Sequence, residues 1–140
     1  MLICKNIMKT NVISVMENAD VYTAARLMAE NNITGIPVIR DDMTLAGIVT
    51  EKDIIRLLYY KITESRKVEN FMTKDVISFD EEDSLWEVIY CLLKNRFRRV
   101  PILNKGKLVG IISRKDIISH IYRSKCPAQA NKAGYFRNDN

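Results

Sequence analysis

The sequence predicts a mixed α/β (α+β) fold in which a β-α-β-β-α unit occurs twice. Three observations support this: an internal repeat, the same order of strand-like and helix-like segments in both copies, and one small change in their spacing. The chain has 140 residues, of which 47% are hydrophobic. That is enough to bury a core without disulfides or metals. We therefore expect the two copies to pack together with pseudo-two-fold symmetry.

The internal repeat has a spacing of about 64 residues. An Asn-x-Met-x-x-x-Val-Ile-Ser segment recurs with five of ten positions identical, and a Leu-x-Gly-Ile-x-x-x-Lys-Asp-Ile-Ile segment recurs with seven of eleven. These segments are residues 6–15 over 70–79 and residues 45–55 over 108–118. The spacing drops to 63 just after Pro37 and Pro101, within a polar stretch typical of a surface turn. The predicted organisation is a first repeat over 1–64, a second over 65–125 and a polar C-terminal tail over 126–140.

Each copy is predicted to contain three strands and two helices. The strands are residues 12–15, 36–39 and 45–49 in the first copy, and 76–79, 100–103 and 108–112 in the second. Asp20 and Ser84 are the expected N-caps of the first helices, because apolar residues at helical spacing follow them. The second helices are expected to begin near Glu51 and Arg114.

The second helix of the first copy is apolar around most of its circumference, from Ile54 to Ile62. A helix of this kind is buried on more than one side. One side can pack on its own sheet, so the other must face the second copy or another chain. The pattern therefore favours tight packing of the repeats and a homodimer through these helices.

The net charge of +5 is distributed unevenly. Residues 1–64 carry seven Lys and Arg against eight Asp and Glu, whereas residues 65–140 carry 15 against nine. Between Glu87 and Asp116 there is no acidic residue, although eight basic residues fall there. Such a stretch can attract nucleic acid, an acidic membrane or a small phosphorylated ligand. Composition alone does not choose among these partners.

Several classes of protein are disfavoured by what the sequence lacks. No apolar run approaches the length of a membrane span, and the first residues show no signal-peptide pattern, so we expect a cytoplasmic protein with no membrane partner. Cys4, Cys91 and Cys126 form no Cys-x-x-Cys motif and are expected to be reduced thiols. With one histidine, no glycine-rich phosphate loop and no recognisable nucleophile and base, an enzyme is not predicted, and no cofactor is required.

The segment that carries candidate chemistry lies at the start of the second helix in each copy. Thr50 ends a buried strand and Asp53 follows three positions later, and Ser113 and Asp116 repeat this arrangement. One interpretation is a helix cap, with the hydroxyl at the N-cap and the carboxylate at N3. The other is a nucleoside phosphate site, because a helix start offers free N–H groups and an ionised carboxylate accepts ribose hydroxyls. The two interpretations are compatible, since one residue can both cap and bind.

Taken together, the repeated motifs resemble a tandem pair of CBS (cystathionine beta-synthase) domains, a Bateman module. The matching residues are Met8, Val12 and Ile13 with Met72, Val76 and Ile77, then residues 36–38 with 100–102, then Gly47, Thr50 and Asp53 with Gly110, Ser113 and Asp116. The likeness covers about residues 5–124. It implies a regulatory sensor that binds adenosine-containing ligands in the cleft between the repeats: AMP, ADP or ATP, or S-adenosylmethionine or NAD.

The resemblance also implies roles for individual residues. Asp53 and Asp116 would bind the ribose, and Thr50 and Ser113 would contact ribose or phosphate at the helix starts. In the kinase-regulating members of the family, basic residues just before the proline of the second strand reach phosphates. Arg98 and Arg99, which precede Pro101, occupy those places here. The first repeat departs from this pattern with Thr34 and Gly35. Two sites of unequal affinity are therefore expected, unless an arginine reaches across the cleft.

The resemblance further places the adenine base between two walls. One wall is formed by the segments before the first strands, and the opposing wall by the starts of the second strands. The residues are Thr10, Val12, Ile13, Lys74, Val76 and Ile77 for the first wall, and Ile36, Pro37, Val100 and Pro101 for the second. Alternative interpretations remain: the prolines can simply mark strand starts, and the arginine pair can be solvated surface charge.

Three hypotheses for function follow from the sequence. The first is a sensor that binds an adenosine-containing ligand and signals through a change in repeat or dimer packing to a regulated protein encoded elsewhere. The second is nucleic-acid binding through the basic second half, which makes both aspartates incidental caps. The third is a scaffold that keeps the fold and only mediates oligomerisation.

Overall fold

The computed structural model describes residues 2–60 and 66–125. Ile62, Cys126 and the predicted tail lie outside these residues, as does the predicted boundary after residue 64. The β-α-β-β-α order is confirmed in both copies. The first copy contains β1 (Val15–Met16), α1 (Val21–Asn31), β2 (Gly35–Ile39), β3 (Leu45–Thr50) and α2 (Glu51–Tyr60). The second contains β4 (Phe79–Asp80), α3 (Leu85–Lys94), β5 (Arg99–Asn104), β6 (Lys107–Ser113) and α4 (Arg114–Lys125).

The strands form two sheets with the same topology, one in each copy. In the first sheet β1 lies parallel to β2, and β2 lies antiparallel to β3. In the second sheet β4, β5 and β6 repeat this arrangement. The apolar middle of each central strand is buried, at residues 36–39 of β2 and 100–102 of β5. The mixed α/β fold with two equivalent repeats is therefore confirmed.

The predicted first strands were wrong in position and length. Residues 12–15 and 76–79 were expected, whereas β1 begins at Val15 and β4 begins at Phe79, and each strand has only two residues. The reason is that the chain reaches its own sheet late. Lys9 is still paired with Ile111 of the other copy, so the residues after it span the distance between the two sheets. Only the end of the apolar run is left to pair with its own sheet.

Both predicted N-caps are confirmed by their hydrogen bonds. Asp20 accepts the N–H of Tyr22 at 2.8 Å, and Ser84 accepts the N–H of Trp86 at 3.2 Å. These bonds satisfy N–H groups that the first turn of a helix leaves without partners.

The segments that precede β1 and β4 exchange between the copies. Cys4, in a short 3-10 turn ahead of the first copy, is wholly buried in the core of the second copy. Val68 is the equivalent residue ahead of the second copy, and it is wholly buried in the core of the first. Backbone bonds hold both segments: Lys9 pairs with Ile111, and Thr73 pairs with Ile48. Each core is therefore built from one sequence repeat together with the leading segment of the other repeat.

Glycine is required where each exchanged segment crosses a sheet. A Cβ atom at Gly47 would lie 2.5 Å from the carbonyl oxygen of Thr73 and 2.8 Å from the sulfur of Met72. At Gly110 a Cβ atom would overlap the side chain of Met8. Both distances are shorter than van der Waals contact allows, so the glycine of each Gly-x-x-(Thr/Ser)-x-x-Asp motif gives the crossing segment room.

The two copies also meet at the turns of their β-hairpins. The N–H of Leu108 donates to the carbonyl of Met43 at 3.0 Å, and Thr44 bridges to Lys107. This is where the repeat spacing changes from 64 to 63. The second turn is closed by Lys105 and Gly106, which both adopt positive φ angles of 53° and 81°. The predicted location of the length change in a turn is confirmed.

Candidate functional site

The first candidate site begins where β3 passes directly into α2. The backbone N–H of Thr50 donates to Asp53 Oδ2 at 2.8 Å, and the Thr50 hydroxyl donates to the same oxygen at 3.0 Å. In return the N–H of Asp53 approaches Thr50 Oγ1 at 3.4 Å. The helix-cap interpretation of these two residues is therefore correct.

The second candidate site has the same geometry where β6 passes into α4. Asp116 Oδ2 accepts the N–H of Ser113 at 2.8 Å and its hydroxyl at 3.0 Å, and Ser113 Oγ accepts the N–H of Asp116 at 3.2 Å. Asp53 is 8% exposed and Asp116 is 9% exposed. In each site one carboxylate oxygen serves the cap, and Oδ1 is the oxygen left to accept further hydrogen bonds.

Lys9 reaches the Asp116 site from the first copy. Its Nζ lies 3.2 Å from Asp116 Oδ1, and its backbone N–H and carbonyl both bond to Ile111, at 2.9 and 3.0 Å. The sequence analysis missed this contact. The available signal was the unequal repeat, because Thr73 occupies the position of Lys9 in the second copy.

The Asp53 site has no such cation. Within residues 2–60 and 66–125, no lysine or arginine forms an ion pair with Asp53. The segment that crosses here brings Thr73, whose backbone pairs with Ile48 at 2.9 and 2.8 Å. The two sites thus share their caps and differ in charge.

Arg98 and Arg99 lie beside the start of α4. The N–H of Arg114 donates to the carbonyl of Arg98 at 2.9 Å, and Arg99 is paired with Ser113 across β5 and β6. Burial lowers the pKa of the half-buried Arg99, the charge of Arg98 lowers it further, and the nearby carboxylate of Asp116 opposes both. Both arginines therefore belong to the Asp116 side. Their contact with a ligand phosphate remains a prediction.

The equivalent positions in the first copy carry no charge. Thr34 stands where the second copy has Arg98, and its carbonyl accepts the N–H of Glu51 at 3.0 Å. Gly35 stands where the second copy has Arg99, and it is paired with Thr50. The backbone frame is the same in both copies, so the difference between the sites lies in their side chains.

The residues predicted to line the base differ in exposure. Three are exposed, three are half-buried and four are buried. The exposed residues are Thr10, Lys74 and Ile77, the half-buried ones are Val12, Ile13 and Val76, and the buried ones are Ile36, Pro37, Val100 and Pro101. The last four belong to the centre of the sheets, where prolines are paired with Ile48 and Ile111. A wall role for any of these residues remains a prediction.

Two grooves lie away from the two aspartates. One of about 750 Å³ runs along α3 and is lined by Ile77, Trp86 and Tyr90 among others. The other, of about 400 Å³, is polar and contains Lys74 together with Arg40. Both volumes fall within the range of small-molecule sites. Lys74 and Ile77, which were predicted to line the same wall, therefore line different grooves.

Large apolar side chains are exposed on all four helices. They include Trp86, at 71% exposure, and Tyr59, at 77%. The others on the helices are Tyr22, Ile55, Leu58, Tyr60, Tyr90, Leu93, Ile118 and Ile121. On α2 Leu57 is buried, whereas Ile55, Leu58 and Tyr59 are exposed. The expected burial of its second side against the other repeat is therefore not seen within the described residues, and burial against another chain remains a prediction.

The described residues contain no group of three or more His, Cys, Asp and Glu that could hold a metal ion. Cys4 and Cys91 are buried free thiols. Burial, with the charges of Asp83 and Glu87, raises the pKa of Cys4 to about 11, which makes it a poor nucleophile. None of the helices is long and apolar enough to cross a membrane, within the part of the chain that the structure describes.

The fold and the two capped aspartates define a tandem repeat module. The family model of the CBS domain matches residues 4–60 and 68–123, so the chain belongs to the CBS domain family and carries the domain twice. The family suggested by the sequence motifs is thus confirmed.

Relatives of known sequence support this assignment. Protein MJ1225 of Methanocaldococcus jannaschii is 38% identical over 114 residues, which are 81% of this chain and 41% of that protein. YlbB of Bacillus subtilis is 36% identical over 106 residues, which are 74% of this chain and 70% of that protein. The chain therefore spans less than half of the first relative and about 70% of the second.

Solved structures of CBS pairs have the same fold. CBSX2, from Arabidopsis thaliana, in complex with AMP has a TM-score of 0.81 at 28% identity, over 89% of this chain and 99% of that one. The CBS domain pair of MJ0100, in complex with 5′-methylthioadenosine and S-adenosyl-L-methionine, has a TM-score of 0.75 at 26% identity, over 89% and 98%.

Proposed function

We propose that this chain is a regulatory module that binds an adenosine-containing ligand between its two repeats. The observation that carries the proposal is the pair of nearly buried carboxylates at Asp53 and Asp116. Each keeps Oδ2 in a helix cap, so Oδ1 is the oxygen that faces other partners, which at Asp116 include the ammonium of Lys9. Two hydroxyls of a ribose match such an acceptor-only group. The similar CBS pairs that hold AMP, or S-adenosyl-L-methionine with 5′-methylthioadenosine, support the same ligand class.

Within this proposal Thr50 and Ser113 have two roles. Their side chains hold the aspartate in place, and the adjacent helix starts offer N–H groups to a ribose or phosphate oxygen. Arg98 and Arg99 extend the Asp116 site with positive charge suited to AMP, ADP or ATP. The base would lie against the segments that contain Thr10 and Lys74.

The signal would be a change in packing. Each exchanged segment touches the sheet of the other copy, so a ligand that contacts both copies biases their arrangement. The apolar side chains exposed on α1 to α4 fit a homodimer that would transmit this change to a regulated protein. Sedimentation at micromolar concentration should show a dimer, and a monomer alone would contradict this part of the proposal.

Calorimetric titration tests the ligand and the site together. The ligands are AMP, ADP, ATP, S-adenosylmethionine and NADH, added to the wild type, to Asp53→Ala and to Asp116→Ala. Because a charge-assisted hydrogen bond is lost, each substitution should weaken its own site by about ten- to hundredfold. Glu30→Ala is the matched control, since Glu30 is an exposed acid that forms its ion pair with Arg26 on the same helix.

Three results would contradict the proposal in different ways. Binding that survives both aspartate substitutions would exclude the ribose role. No binding of any of these ligands would favour the oligomerisation scaffold. Tight binding of an oligonucleotide that weakens steeply with salt would instead favour the nucleic-acid hypothesis, which the basic residues of the second copy also permit.

A further inference from the structure

The two capped aspartates face different charges, although the caps themselves are the same. Lys9 Nζ lies 3.2 Å from Asp116 Oδ1, whereas Thr73 occupies the equivalent position near the first site. Arg98 and Arg99 add to the positive charge on the Asp116 side. The first copy has Thr34 and Gly35 in their places. This contrast is a property of side chains, since the same backbone bonds hold both junctions.

Lys9 occupies the one oxygen of Asp116 that the cap leaves for other partners. Oδ2 accepts hydrogen bonds from the N–H and the hydroxyl of Ser113, and Oδ1 forms an ion pair with the ammonium of Lys9. A ligand hydroxyl that binds this carboxylate must therefore share Oδ1 with Lys9 or displace it. The Lys9 side chain is 71% exposed, so its ammonium can swing away without leaving a buried charge of its own.

The charge of the ligand decides whether this displacement is favourable. A phosphate gives the Lys9 ammonium a new anionic partner, and the contact is charge-assisted. A neutral nucleoside competes for Oδ1 and offers nothing in return. A cationic ligand adds repulsion between its own charge and Lys9. At Asp53 none of these costs arises, because the described residues place no cation on its carboxylate.

We propose that Lys9 is a specificity-determining residue that makes the Asp116 site select anionic adenosine nucleotides over neutral or cationic adenosyl ligands. The Asp53 site, which has Thr73 instead, accepts neutral and cationic adenosyl ligands. This inference rests on the proposed function, because it assumes that both aspartates bind a ribose. It adds a residue from the exchanged segment to the site, and it assigns a different ligand class to each half of the module.

The test isolates the Asp116 site in an Asp53→Ala chain and titrates it with AMP and with adenosine. Lys9→Thr, which copies the residue of the other repeat, should weaken AMP about tenfold and leave adenosine unchanged or tighter. The ratio of the two affinities is the readout, because a purely structural effect moves both in the same direction. Lys9→Arg keeps the charge and should retain the preference for AMP.

Two further variants complete the test. Lys5→Thr is the matched control. Lys5 is an exposed lysine on the same segment as Lys9, and its Nζ lies 3.1 Å from Glu82 Oε1. This variant should leave the ratio unchanged. Thr73→Lys in an Asp116→Ala chain should introduce a preference for AMP at the Asp53 site. This reciprocal gain does not depend on how well Lys9→Thr folds, which circular dichroism would check.

The outcomes separate this inference from the function beneath it. If the wild type binds none of these ligands, both the function and the role of Lys9 are wrong. If it binds AMP but Lys9→Thr and Thr73→Lys leave the ratios of AMP to adenosine unchanged, only the role of Lys9 is wrong. A changed ratio in Lys5→Thr would also overturn it, because the effect would then be one of general charge.

Discussion

At Thr50 and at Ser113 a strand passes directly into a helix, and three matching hydrogen bonds tie each hydroxyl residue to an aspartate. Four equivalent positions around these junctions differ in charge. Thr73, Thr34, Gly35 and Glu51 in the first correspond to Lys9, Arg98, Arg99 and Arg114 in the second. The junctions therefore keep what a helix start needs and vary what a ligand would meet.

The largest expected effect is a difference in stability between substitutions at Gly47 and Gly110, where the exchanged segments cross the sheets. Gly47→Ala places a Cβ atom 2.5 Å from a backbone carbonyl, that of Thr73, which is fixed by its pairing with Ile48. Gly110→Ala overlaps the side chain of Met8, whose sulfur and Cγ can move by a rotamer change while its Cβ stays 3.0 Å away. We expect Gly47→Ala to cost about 2–3 kcal/mol of unfolding free energy and Gly110→Ala about 1 kcal/mol.

Urea unfolding of both variants measures this difference. Gly106→Ala serves as a comparison, because a Cβ atom there meets nothing within 4 Å and any cost comes from its positive φ angle. Equal losses of unfolding free energy in Gly47→Ala and Gly110→Ala would show that both crossing segments can move equally easily to make room, which would contradict the structure.

A smaller effect should be equal at the two junctions. Thr50→Ala and Ser113→Ala each remove a hydroxyl that exchanges hydrogen bonds with a nearly buried aspartate. Each should cost about 1 kcal/mol in the absence of ligand, as loss of a helix cap does. Denaturant unfolding checks both, with Ser119→Ala on the exposed side of α4 as the control. A difference of more than about 1 kcal/mol between them would mean that the surrounding charges also set cap strength.

Much of the fold could be predicted because its signals are local. The repeat in the sequence indicated the repeat in space, and Asp20, Ser84, Thr50 and Ser113 were recognisable caps because a cap depends on neighbours within one turn. The hydroxyl and aspartate pairs were predicted for the same reason.

The exchange of the two leading segments could not be predicted from such local signals. Periodicity shows that Cys4 and Val68 are apolar, but it does not tell against which sheet they are buried. The contact between Lys9 and Asp116 follows from that exchange, as does the late start of β1. The sequence offers one hint of the exchange: each repeat has a methionine and a glycine that come into contact across the copies. Met8 meets Gly110, and Met72 meets Gly47. These pairs can be recognised only once the topology is known.

The smallest expected effect compares the two exchanged segments and appears only in alkali. Cys4 and Val68 occupy equivalent, wholly buried positions, but only Cys4 can titrate. Burial raises the pKa of Cys4 from 9.0 to about 11 in the folded chain, with help from Asp83 and Glu87. Above pH 9 the unfolded chain loses this proton while the folded chain keeps it. Stability from this group is therefore complete below pH 9 and declines as the pH rises towards 11.

Cys4→Val copies the other segment and removes the titrating group. Its unfolding free energy should differ from that of the wild type by a constant amount between pH 7 and pH 8.5. Above pH 9 the wild type should lose stability faster than Cys4→Val, because the Cys4 thiol is the group by which the two chains differ. Urea unfolding from pH 7 to pH 10.5 measures the two curves. If they stay parallel to pH 10.5, the thiol is not held protonated by the second copy's core, and the segment is less tightly seated there than Val68 is in the first.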